Sequence, residues 1–368
     1  MLSKLKKWHR SSHFRGRTPY SGDRLVSTTG YYWYEGYPGA NLGDEMIHHA
    51  VSQMLRPIQD VFLGRFDTIG DFTNLHILRK FPKAIVMGGG TIRPGISLSK
   101  LKLLSKKARL PLYTIGTGLV GYRNNISATH PSIRPLWETL FELCESQLLG
   151  VRGPRSQRIM AELGKESTII GDAALSLFGP IIRSDYRHIL VNFGNHDTNF
   201  HDSSLFDYYQ SILSILQNFG LPIILTPLHH IDITCHNQIL KQSPSAIQNN
   251  VTVLNYVPSI EQFRGLLHTT AFGVGERLHF GIPLASSGIP IAMLGYLDKH
   301  LDFAESISAS EIVFPRDRSS LNLMEAHLKS LIENEYSIDK SIQKNIHALR
   351  EHQRSTILNI AQSLSQQT

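Results

Sequence analysis

Short apolar runs that end in glycine turns recur along the chain, and each is followed by apolar residues returning every three to four positions. Runs at 84–87, 110–115, 147–151 and 167–170, and again at 189–193, 222–226, 251–254, 271–274 and 289–294, read as buried strands. Residues 24–34, rich in β-branched and aromatic side chains, read as a further strand, and 61–63 as a short one. Met46, Ile47, Ala50, Val51, Met54 and Leu55 keep helical spacing. Helices are also predicted at 74–79, 135–143, from Pro154 to a stop at Gly164, at 205–219 before Gly220, and at 258–267. The alternation predicts an α/β fold of two Rossmann-like domains facing across a cleft, at 21–178 and 188–318, with 179–187 as linker. C-terminal helices at 319–368 follow, with Leu321, Met324, Leu328 and Ile332 and then Ile342, Ile346 and Leu349 on their apolar faces.

Composition agrees with that picture: 41% of the 368 residues are hydrophobic and 18% charged, ordinary values for a globular chain long enough for two cores. No apolar run reaches the roughly 18–20 residues that span a bilayer. Cys144 and Cys235 lie far apart and in no ligand spacing, so neither a disulfide framework nor a zinc site is expected, and a cytoplasmic setting fits. Of the net charge of +7, Lys4, Lys6, Lys7, Arg10, Arg15 and Arg17 supply most before the first acid, Asp23. The rest of the chain is near neutral, so no nucleic-acid face is expected. Residues 1–20 read as a solvated basic tail. Leu2, Leu5 and Trp8, spaced by three, give a second reading, a basic amphipathic turn in peripheral contact with the inner face of a membrane.

Chemistry concentrates at 273–299. The run 271–274 turns at Gly275 and presents Glu276, Arg277 and His279 where a helix begins, at the strand end where parallel sheets bind ligands. Arg277 offers a planar fork for a carboxylate or phosphate, and His279 exchanges a proton near neutral pH. The plainer alternative pairs Arg277 with Glu276 or turns it to solvent. Asn41, Gly43, Asp44 and Glu45 precede the first long helix, where free N–H groups and a close backbone approach are available. Gly88, Gly89 and Gly90 end a strand without a Walker lysine. Arg152 is expected at a strand end facing the crevice, Arg155 on a helix surface, and Asp172 at the end of the first half. His229, His230 and Asp232 sit on a strand-end loop where adjacent histidines project apart, so no metal is expected.

The Arg277-Leu278-His279 step, then Gly281-Ile282-Pro283, Tyr296 and Lys299, resembles the C-terminal signature of the polysaccharide pyruvyl transferase family. The 41–45 block, the glycine triplet and Arg152, Ser156 and Asp172 are similar to its earlier blocks, so the resemblance spans about 41–299. It implies a glycosyltransferase-B-like fold and a transferase that moves pyruvate from phosphoenolpyruvate onto two sugar hydroxyls as a ketal, without cofactor or metal. The partners it implies are phosphoenolpyruvate and a glycan acceptor, lipid-linked or not. On this reading Arg277, Arg152, Lys299 and Leu278 bind the donor, and His279 donates the proton or binds phosphate. Asp44, Glu45 or Asp172 handles the acceptor hydroxyl, and Asn41, Gly43, Gly88, Gly89, Gly90 and Glu276 line the cleft. Arg277→Ala is expected to remove donor binding and leave the thermal melt nearly unchanged. Phe280 departs from the family's small residues and Pro283 is awkward inside a helix, so both bear on what fits beside the donor. A nucleotide-sugar-dependent glycosyltransferase and a noncatalytic glycan-binding relative are the alternatives.

Overall fold

A computed structural model describes residues 24–28, 41–55, 82–90, 112–119, 134–135, 149–182, 185–194, 203–333 and 336–366. The basic tail, the elements expected at 61–63 and 74–79, and nearly all of 135–143 lie outside the described residues.

The first sheet holds β1 (Arg24–Thr28), β2 (Pro82–Gly88), β3 (Leu112–Thr117), β4 (Leu149–Val151) and β5 (Thr168–Ile169), all parallel and in chain order. Helix α1 (Leu42–Leu55) packs on the end of β2, and α2 (Pro154–Glu162) follows β4 with proline in its first turn. Gly164, at φ 70°, lies just past the end of α2.

The second sheet runs β11-β10-β9-β6-β7-β8, again all parallel: β6 (His188–Asn192), β7 (Ile223–Leu225), β8 (Val251–Val253), β9 (Thr270–Gly275), β10 (Ile291–Gly295) and β11 (Val313–Pro315). Its helices are α3 (Ser203–Gln217), α4 (His230–Gln242), α5 (Ser245–Gln248), α6 (Ile260–Leu267), α7 (Leu278–Ser286) and α8 (Asp298–Ser306). The strand order reverses between β6 and β9, where Asn192 pairs with Gly275. That switch point, at the carboxyl ends of the strands, is where such sheets bind ligands.

Both faces of β9 are covered, so its residues form a continuous buried run rather than an alternating one. Gly273 and Gly275 leave the space taken by the Phe280 ring; a Cβ on Gly275 would sit 2.3 Å from Phe280 Cδ1. Phe280 is thus fully buried under β9 against Phe263, which corrects the expectation that it crowds the donor. Pro283 does lie inside α7, at its sixth position. Lacking an N–H, it cannot bond the carbonyl of His279 four residues earlier.

Helices α9 (Leu321–Glu333) and α10 (Lys340–Gln366) complete the chain, and α10 crosses back over both halves. Gln343 donates to the Ala285 carbonyl at 2.6 Å on one side, and Gln353 to Ile170 and Asp172 at 3.0 and 2.8 Å on the other. Arg350 bridges them, reaching Leu175 at 3.0 Å, Phe178, and Ser286 at 3.1 Å. Tyr113 and Ile170 of the first half share one apolar core with Leu278, Leu284, Ile346 and Ile357. The halves are therefore packed together, not tethered.

Candidate functional site

The two halves meet where α1 begins. Asn41 bridges His229 in antiparallel fashion, and Leu42 N–H donates to the Leu228 carbonyl at 2.7 Å. The Asn41 side chain caps the helix, accepting from Gly43 N–H at 3.1 Å, and its amide donates to Asp44 at 2.6 Å. Gly43 faces His279 of α7: a Cβ there would lie 2.7 Å from His279 Nδ1. The opposite nitrogen of that ring, Nε2, lies 3.6 Å from Asp172 Oδ2 and has no hydrogen-bond partner among the described residues.

Asp172 is wholly buried, and Arg152 Nε donates to it at 2.9 Å. Its other oxygen accepts from Ala174 N–H at 3.0 Å, capping the 3-10 turn Ala173–Leu177. Burial alone disfavours the ionised carboxyl, yet His279, Arg152 and the Ala174 N–H together hold it well below the usual carboxylate range. Arg152 is also fully buried, with its guanidinium on the Gly90 carbonyl and in the space that Gly118 leaves.

On the other side, Arg277 grips Asp232 with two bonds, Nε at 2.6 Å and Nη2 at 2.5 Å. Asp232 opens α4 and also accepts from the N–H groups of Leu228 and His229, both at 3.0 Å. Burial works against both charges, but the pairing prevails: Asp232 is held low and Arg277 high. Arg277 keeps 13% of its side chain exposed, and Asp232 none.

Beyond Arg277, cations from neighbouring strand ends gather on one ring. Lys299 Nζ and Arg316 Cζ each lie 5.2 Å from the centroid of Tyr296. Tyr296 follows β10, Lys299 lies in the first turn of α8, and Arg316 follows β11. Burial, opposed in part by Arg277, raises the Tyr296 hydroxyl far above its ordinary value. Arg316 Nη1 stands 3.7 Å from Glu276. Glu276 is fully buried at the switch point, taking Tyr209 OH at 2.7 Å and Gly194 N–H at 2.8 Å. Burial lifts its carboxyl to about 7 against Arg316, Tyr209 and Gly194.

Several expected positions change. Arg152 does not face the crevice; with no exposed surface it serves Asp172 and Gly90. Asp172 likewise cannot reach an acceptor hydroxyl, and Leu278 is buried in the core. Gly88 and Gly89 give room to Val51 and Ile47 of α1 rather than to a ligand. Glu276 is fully buried and lines no cleft. Arg155 is not a bare surface residue, for it joins Asp298 at 3.0 Å and Glu305 at 2.8 Å across the domains. His229 caps α4 through Nδ1, and Asp232 is the anchor of Arg277. The sequence reading missed Arg316 and the Asp232 pairing. A basic residue directly after the last strand of a parallel sheet was the available signal for the first.

Residues 41–298 match the family model described as polysaccharide pyruvyl transferase. No curated protein matches the sequence. In fold the chain is similar to a structure described as a UDP-N-acetylglucosamine 2-epimerase from Listeria monocytogenes, at 11% identity and TM-score 0.59, covering 95% of this chain and 98% of that one. It is similar also to S. aureus MnaA solved with UDP, at 11% identity and TM-score 0.58, covering 88% and 91%. A third is the UDP-GlcNAc 2-epimerase of Neisseria meningitidis bound to UDP-GlcNAc, at 13% identity and TM-score 0.54, covering 90% and 98%. These likenesses are of fold, the paired Rossmann-like sheets of the glycosyltransferase-B type.

Proposed function

The chain belongs to the polysaccharide pyruvyl transferase family, and from that premise we propose that it transfers pyruvate from phosphoenolpyruvate to two hydroxyls of a glycan, forming a ketal. The observation that carries this reading is the gathering of Lys299 and Arg316 on the Tyr296 ring beside Arg277. Phosphoenolpyruvate brings a carboxylate and a phosphate ester, and a donor with that much charge requires several cations. Asp232 fixes the Arg277 fork through Nε and Nη2, so Nη1 is presented in a set direction. Lys299 and Arg316 take the phosphate.

The chemistry follows from the donor. His279 gives a proton to the methylene carbon of the enol phosphate, and a sugar oxygen bonds to the central carbon as its own proton leaves to a base. The phosphate departs with the electrons of its C–O bond, and the second hydroxyl closes a small ring at the same carbon. One hydroxyl proton thus ends in the new methyl group and the other on phosphate. Asp44 or Glu45, half-buried at the start of α1, takes the hydroxyl proton.

The test is phosphate release from phosphoenolpyruvate that requires an added glycan diol and yields a pyruvylated product. Release without acceptor, or turnover of a UDP-sugar in place of phosphoenolpyruvate, removes the proposal and favours a nucleotide-sugar glycosyltransferase.

A further inference from the structure

We infer that Asp172 and Arg152 are positioning residues that keep hydrogen on His279 Nε2, so that the proton the imidazolium gives to substrate is the one on Nδ1 and the neutral ring left behind carries Nε2–H. The inference rests on the reading of His279 as the proton donor and adds how that donor is built. Its parts come from opposite halves of the molecule: Arg152 and Asp172 from the end of the first sheet, His279 from α7 of the second domain.

His279 Nε2 is buried without a hydrogen-bond partner among the described residues, and a buried polar atom in that state calls for a reason. Its neighbour is Asp172 Oδ2 at 3.6 Å, too far for a hydrogen bond but with nothing to screen the two. Both Asp172 oxygens already accept, one from Arg152 Nε and the other from Ala174 N–H, so the carboxylate offers Nε2 an acceptor. A ring nitrogen with its lone pair toward that oxygen is repelled, whereas an N–H is attracted, so the hydrogen belongs on Nε2. Catalytic contacts are often long before substrate binds; a closure of less than about 1 Å makes this one a full charge-assisted bond.

Asp172 cannot swing away to spoil the arrangement. Ala174 N–H holds one oxygen at 3.0 Å and Arg152 Nε the other at 2.9 Å. Arg152 is itself fixed by the Gly90 carbonyl, by its own N–H on Thr117 at 3.1 Å, and by the walls around Gly118. Two nearby charges have partners of their own: Asp44 at the start of α1 with Asn41, and Arg277 with Asp232. Nδ1 lies against Gly43, where a Cβ would be 2.7 Å away. The oriented nitrogen thus faces the start of α1, where Asp44 and Glu45 await the acceptor.

The full-length protein, labelled with 15N-histidine, tests this by long-range 1H–15N correlation, with His279→Gln identifying the resonance. The expected result is neutral His279 carrying hydrogen on Nε2; hydrogen on Nδ1 overturns the inference, and this measurement needs neither donor nor acceptor. In Asp172→Asn the amide can turn its NH₂ toward Nε2 and favour the wrong tautomer, so kcat for pyruvyl transfer should fall on the order of 10²- to 10⁴-fold, with KM for phosphoenolpyruvate close to wild type. Arg152→Lys, which keeps the charge, should restore most of the loss seen in Arg152→Met. Wild-type turnover in Asp172→Asn, or a change confined to KM, overturns the inference. If Asp172→Asn does not fold, the wild-type resonance decides alone. Failure of the wild type to use phosphoenolpyruvate at all would instead strike the proposed function, leaving the tautomer result standing.

Discussion

Arg277 and Asp232 form a two-bonded pair, 2.6 and 2.5 Å, in which the carboxylate has no exposed surface. This corrects the expectation that Arg277→Ala leaves the melt unchanged. The substitution strands a buried carboxylate that also ties the N–H groups of Leu228 and His229 to the start of α4. Arg277→Ala should therefore abolish phosphoenolpyruvate binding and also cost about 3–5 kcal/mol of stability. Urea denaturation of the mutant and of Arg277→Ala/Asp232→Ala checks it: the double variant should recover part of the loss.

Lys299 and Arg316 share the Tyr296 ring at 5.2 Å each. A charge-assisted bond to phosphate contributes about 1.5–3 kcal/mol, so Lys299→Ala and Arg316→Ala should each raise the Kd for phosphoenolpyruvate roughly 10- to 100-fold. Isothermal titration against phosphoenolpyruvate and against pyruvate separates the phosphate contact from the carboxylate contact. Pyruvate binding should be nearly unaffected by either substitution.

The paired sheets were legible because strands covered on both faces are written as unbroken apolar runs, as at β6 and β9, and because Pro154, Gly164 and Gly220 punctuate their helices. The side-chain partners were not. Arg277 finds Asp232 45 positions away, and His279 finds Asp172 only because two sheets dock. Such pairings have no period to betray them. Arg152 shows the cost of reasoning from charge alone: an arginine after a strand suggests a ligand clamp, yet the space left by Gly118 seats it wholly inside. The glycine triplet was ambiguous in the same way, since close approach serves Ile47 and Val51 as readily as a substrate.

Gly43 sets helix propensity against a buried contact. It lies within the first turn of α1 without a positive φ, so alanine is intrinsically better there, by up to about 1 kcal/mol. The new Cβ, however, would sit 2.7 Å from His279 Nδ1, 2.8 Å from its Cβ and 2.9 Å from its Cγ, so the root of that side chain must move and not only its tip. Gly43→Ala should lose about 1–3 kcal/mol of stability through overpacking, and on the order of 10²-fold in kcat as the ring is displaced. Comparing kcat with the melting curve of the same preparation checks it.

Asp302 of α8 caps α2 from the other domain, accepting Arg155 and Ser156 N–H groups at 3.0 Å each and the Ser156 hydroxyl at 2.7 Å. It is fully buried. Asp302→Ala removes the cap and leaves those donors without a partner, at about 2–4 kcal/mol. Because the lost contacts cross between domains, fluorescence and circular dichroism should no longer report one coincident urea transition.

Glu276 predicts the direction of the pH dependence. Burial lifts its carboxyl from 4.5 to about 7, opposed by Arg316, Tyr209 and Gly194. Between those two values the folded protein holds a proton that the unfolded chain has released, so unfolding releases a proton and stability falls as pH rises. The contribution is fully present below about pH 4.5 and is lost by the time pH passes about 7, with an upper size of about 3 kcal/mol. Glu276→Gln keeps an acceptor for Gly194 N–H, and Tyr209 OH can rotate to accept from the new amide, so the fold tolerates it. The variant should lose this portion of the slope and be more stable than wild type at pH 8. Urea denaturation of both proteins from pH 5 to 8 decides it: parallel curves would show that Glu276 is already ionised in the folded state throughout, its charge held by Arg316.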